Sequence, residues 1–75
     1  MYKNLGMDKE LIFNIEEDIE GGFVAKAIGF SIFAQGESMT ELRHNIRDAV
    51  QCHFEEHQMP KIIRLHIVKQ ELLAV

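Results

Sequence analysis

A chain of 75 residues that is 47% hydrophobic and 27% charged, with one Pro, has the composition of one small globular domain rather than of a disordered or low-complexity segment. Its formal net charge of −4 makes it a poor electrostatic match for a polyphosphate backbone, and no apolar run approaches the roughly 20 residues that span a bilayer. Met1-Tyr2-Lys3-Asn4-Leu5-Gly6 lacks the apolar segment of a secretory signal and Cys52 has no second cysteine to bridge, so a cytoplasmic protein in a reducing compartment is expected.

Residues 1–8 carry no periodicity and read as a flexible leader to a single domain spanning 1–75. From Lys9 the pattern becomes regular. Leu11, Phe13 and Ile15 alternate with Ile12, Asn14 and Glu16, the period-2 signature of a strand. Gly21-Gly22 interrupts it with two residues that tolerate positive φ, as a tight hairpin connection requires. Phe23, Ala25 and Ala27 alternate with Val24, Lys26 and Ile28 in a second strand, Gly29-Phe30 bends the chain, and Ser31-Ile32-Phe33-Ala34 reads as a short third strand. Tight connections make these three an antiparallel meander.

Gln35-Gly36-Glu37-Ser38 then ends the sheet and starts a helix, with Ser38 as cap and Glu41 three positions on as its capping-box partner. The spacing predicts a helix from Met39 to Glu56, stopping before Pro60. At about 100° per residue, Met39, Leu42, Ile46, Ala49, Val50, His53 and Phe54 share its apolar face. Lys61 to Val68 is rich in β-branched residues and reads as a fourth strand, with Ile63, Leu65 and Ile67 on one face and Ile62, Arg64, His66 and Val68 on the other. Gln70-Glu71 breaks it before the apolar tail Leu72 to Val75.

The expected fold is therefore α+β, in the order β-β-β-α-β, with one helix on one sheet face. The fourth strand can lie parallel to the first, giving the order 3-2-1-4, or beside the third; the first arrangement is favoured. One helix covers one face, so aliphatic residues such as Ile12, Val24 and Ile28 are expected on a bare one, and self-association follows as an expectation. The interface candidates are Ile62, Arg64, His66, Val68 and Leu72, and a homodimer is the simplest assembly.

The search for chemistry gives no catalytic residues and no cofactor site. There is no Gly-rich phosphate cradle, no Ser elbow and no paired-Cys motif. His53 and His57 stand four apart and Glu41 with His44 makes an E-x-x-H spacing, so a small metal protein or enzyme is a distant alternative. Such spacings arise by chance in a charged helix, and the expected reading is no metal and no enzyme. Glu16, Glu17, Asp18 and Glu20 fall within five positions, either a solvated turn or an acidic surface that steers a basic partner protein.

The stretch Phe13-Asn14-Ile15-Glu16-Glu17-Asp18-Ile19-Glu20-Gly21-Gly22-Phe23-Val24-Ala25 resembles the opening hairpin of HicB-like antitoxin domains. Gln35-Gly36-Glu37-Ser38-Met39-Thr40-Glu41-Leu42 resembles that family's helix start, and Asn45 to Val50 the helix body that follows. The chain departs from the family before the third strand, where many members carry a Pro and a Gly-Cys pair and this chain has Ile28-Gly29-Phe30-Ser31-Ile32-Phe33. The resemblance implies a partial RNase H-like fold without a nuclease site. It also implies a protein-binding role, silencing a small basic HicA-type toxin that cleaves mRNA with a histidine. A stand-alone oligomeric HicB-like protein with another partner is the alternative. Only Lys69 to Val75 follow the last strand, so operator binding by a C-terminal DNA-binding motif is not expected of this chain alone.

Overall fold

The computed structural model describes residues 10–69 and 71–75. The expected leader, residues 1–8, and Gln70 lie outside the described residues.

Strands β1 (Glu10–Glu17), β2 (Phe23–Ala27) and β3 (Phe33–Gly36) form the antiparallel meander, helix α1 spans Met39–His53, and β4 (Ile62–Val68) closes the fold. The sheet order is β3-β2-β1-β4, with β1 and β4 parallel. This is the favoured arrangement, and the α+β class holds. The sheet's central strand β1 buries Leu11, Phe13 and Ile15, whose alternation read directly as an inward face. They meet Ala25 of β2, Ala34 of β3 and Leu42, Ile46 and Val50 of α1 in a single core.

Three expectations need correction. The third strand begins at Phe33 and runs on through Gly36, rather than occupying 31–34. Its predecessor is a five-residue loop, closed by Ala27 N–H donating to Ile32 O at 3.0 Å and opened by Gly29 at φ +87°. Ile32 is buried from that loop, so its apolar character marked the core and not the strand. The helix ends at His53, not Glu56. Phe54 turns to extended backbone (φ −109°, ψ 144°) and its ring packs edge-on against Phe30, with centroids 5.2 Å apart. Packing of an aromatic side chain thus ends the helix well before Pro60, and a 3-10 turn at Glu56–Gln58 fills the gap. His53, expected on the apolar face, is exposed at the rim of the same aromatic cluster.

Small residues set where the helix lies. Ala25 and Ala34 are cross-strand partners beneath α1, and Gly36 follows at the end of β3. A Cβ on Gly36 would stand 2.7 Å from the backbone N of Leu42 and 2.9 Å from its Cα. The helix consequently packs mainly on β3, with less contact to β2. Its axis therefore stands away from β4, and an open groove of about 220 Å³ lined by Arg43, Ile46, Arg47, Ile63 and Leu65 separates the two.

The face opposite the helix is mixed, not uniformly apolar. Cross-strand rows place Phe33, Lys26, Asn14 and His66 side by side, with Ile12 beside Arg64 and Glu16 beside Val68. His66 Nδ1 lies 3.1 Å from Asn14 Oδ1, and Arg64 Nε donates to Glu10 Oε2. That hydrogen bond, with the attraction of the same carboxylate, raises the Arg64 pKa above its ordinary value.

Candidate functional site: the acidic end of the sheet

The β1–β2 hairpin turn is built by backbone bonds and by glycines. Gly21 N–H donates to Asp18 O and Asp18 N–H to Gly22 O, both at 2.9 Å, while the Asp18 side chain accepts from Glu20 N–H at 3.0 Å. Gly21 (φ +104°) and Gly22 (φ +85°) hold a backbone conformation that L side chains disfavour. Gly22 has a second constraint, since a Cβ there would sit 2.9 Å from Gly36 O. The hairpin turn and the start of the helix are therefore pressed together across the end of the sheet.

At that junction Glu41 N–H donates to Ser38 Oγ at 3.1 Å, and Glu41 Oε1 accepts from Glu37 N–H at 2.6 Å. This is the expected capping box, with the glutamate reaching one residue further back than the cap itself. Asn45, one turn on, donates from Nδ2 to Gln35 O at 2.7 Å and ties the helix to β3.

The result is a depression of about 340 Å³ whose rim includes Asp18, Glu37 and Glu41, floored by Gly21, Gly22 and Gly36. Asp18 also borders a second depression, with Glu16, Glu17, Ile19 and Lys26. Together with Glu20, six carboxylates gather at one end of the molecule, all on exposed residues. Four of them, Glu16, Glu17, Asp18 and Glu20, were legible as a run in the sequence. Glu37 and Glu41 were read only as helix-start residues. The Phe23–Gly36 pairing brings them in, and the Gly-Gly and Gln-Gly positions were the available signal. Ile19, 94% exposed, stands among these acids as an apolar tip.

The other singled-out residues are dispersed. His44 Nε2 lies 3.4 Å from Asp48, and His57 Nδ1 lies 3.7 Å from Glu55. Cys52 is a free, exposed thiol. Among the described residues no three His, Cys, Asp or Glu side chains are grouped as a metal site, and no helix is long and apolar enough to cross a membrane. The interface candidates Ile62, Arg64, His66 and Val68 share the outer face of β4, and Leu72 is exposed beyond it.

No family model and no solved structure matches the chain. Two relatives do. A UPF0150 protein of Thermotoga maritima is 42% identical over 67 residues, which cover 89% of this chain and 94% of that protein. A UPF0150 protein of Archaeoglobus fulgidus is 48% identical over 52 residues, 69% of this chain and 77% of that protein. With such identity over nearly the full length of the Thermotoga relative, the chain belongs to the UPF0150 protein family.

Proposed function

We propose that this chain is a non-enzymatic protein-binding module that acts as a HicB-type antitoxin. In this reading its acidic end captures a small basic mRNA-cleaving toxin of the HicA type in the cytoplasm. The observation that carries the reading is the gathering of six carboxylates around the hairpin turn and helix start, on residues that all face solvent. Carboxylates on a rigid rim attract a cationic surface from a distance and speed its encounter, while Ile19 supplies an apolar contact once the surfaces meet. The turn and capping bonds already described hold that rim, so little conformational freedom is lost on binding. The hairpin and helix-start motifs that resemble HicB-like domains are the same segments that build this end.

The test is co-expression with a basic protein of similar size encoded beside this chain's gene. The expected outcome is that growth arrest caused by the basic protein is relieved by the parent chain. The quadruple variant Glu16→Lys, Glu17→Lys, Asp18→Lys, Glu20→Lys should not relieve it while keeping the parent's far-ultraviolet circular dichroism. In vitro, affinity between the two purified proteins should fall steeply with added salt. Arrest relieved equally by parent and variant, or a basic neighbour that causes no arrest and does not bind, overturns the reading.

A further inference from the structure

The two edges of the sheet are unlike. β3 is four residues long, and Asn45 from the helix occupies the carbonyl of Gln35 on it. β4 is seven residues long, and among the described residues no side chain bonds its outer edge. α1 also stands away from it across an open groove. Ile62 is 56% exposed, Ile67 47% and Val68 41%, so the strand offers apolar side chains on both faces beside an edge that no other described strand pairs. A long apolar edge of this kind recruits another strand unless it is blocked.

Its sequence says which strand. Ile62-Ile63-Arg64-Leu65-His66-Ile67-Val68 reads the same in both directions by chemical type, with Leu65 at the centre. We infer that β4 pairs antiparallel with β4 of a second copy about a two-fold axis at Leu65, joining two sheets into one of eight strands. An axis perpendicular to the sheet keeps both helices on one side and pairs even positions with even and odd with odd. On Leu65 it sets Ile62 against Val68 and Arg64 against His66 on the outer face, and Ile63 against Ile67 and Leu65 against itself on the helix side. Each apolar residue of the strand then faces an apolar residue. Centred on Arg64, the pairing would oppose two arginines and set Ile62 against His66. Centred on His66, it would set Ile63 against Lys69. One register satisfies the whole strand. Arg64 also arrives with its charge already matched by Glu10, so the pairing leaves no unpaired arginine between the copies.

The inference is independent of the antitoxin reading and is tested without a toxin. Sedimentation of the parent across a concentration series should give the mass of two 8.7 kDa chains. Two variants then probe the register. One carries Ile62→Lys with Val68→Lys, the other Ile62→Glu with Val68→Glu, all four on exposed positions. Each alone should sediment as a monomer through like-charge opposition, and mixing them should restore a dimer containing one copy of each. A parent that stays monomeric at several hundred micromolar overturns the proposal, and this arm does not require the variants to fold. So does a dimer that both variants keep. Folded variants that are monomeric alone and stay so when mixed overturn the register.

Discussion

Gly36 and Ser38 stand two residues apart and hold the helix start by different means. Ser38 supplies one hydrogen bond to an otherwise free N–H, and its replacement by Ala should cost about 1 kcal/mol. Gly36 supplies empty space, and a methyl group there meets the backbone of Leu42 closer than van der Waals contact allows. The helix cannot yield locally, because Asn45 and the Ala25–Ala34 pair fix its height over β3. Gly36→Ala is therefore expected to cost more than Ser38→Ala, about 1–3 kcal/mol, in the range of overpacked sites. Urea melts of the two variants check the order. A Gly36→Ala protein as stable as the parent would mean that the helix start shifts freely.

At the scale of elements, the helix and β4 divide the apolar residues unequally. Ile46 is buried where α1 overhangs the sheet, whereas Ile67 faces the same side of the sheet but is almost half exposed. Ile46→Ala should cost about 2–5 kcal/mol, as large-to-small core changes do. Ile67→Ala should cost under about 1 kcal/mol in the isolated chain, and thermal melts at low protein concentration separate the two. The sequence reading showed why both were apolar but not which was covered. Period-2 alternation reports that a residue faces inward, and it is silent on whether a helix lies above it. That depends on Gly36, Ala25 and Ala34 drawing α1 toward β3. The same blindness produced the misplaced third strand, where Ile32 is inward but in a loop, and the overlong helix, where Phe54 leaves the helix for Phe30. By contrast the strand order, the hairpin glycines and the capping serine were legible, because topology rules and backbone requirements act locally.

For the whole molecule, the parallel alignment of β1 with β4 places Val68 beside Glu16, at the acidic end, and Ile62 beside Glu10, at the other. With the proposed two-fold axis through Leu65, the two acidic ends would lie at opposite poles of the dimer, each open to a partner of its own. Two partner molecules per dimer are expected, and calorimetric titration reads that ratio. Stability should also depend on concentration. If the apolar edge is covered only by a second copy, the melting temperature rises as the protein is concentrated, by mass action. A melting curve unchanged over a hundredfold range of concentration is the contrary result. Four of the six carboxylates at the acidic end were readable as a run in the sequence; the other two, Glu37 and Glu41, needed the strand register to bring them near.

The pairing of β1 with β4 also governs the order in which the chain acquires its structure. β1 meets β2 through a short turn, but its bridge from Glu10 to Ile62 joins residues separated by most of the chain. Closing so long a loop is entropically slower than zipping the hairpin, so β4 is expected to dock last, onto a meander and helix already formed, an order that pulse-labelled hydrogen exchange would read. On the ribosome, where the chain emerges from its N-terminus, β1 has its hairpin partner long before its parallel one. One flank of β1 therefore waits for its parallel partner until β4 has been made. Any strand of matching pattern nearby, including β4 of a chain made on the same message, can reach it first.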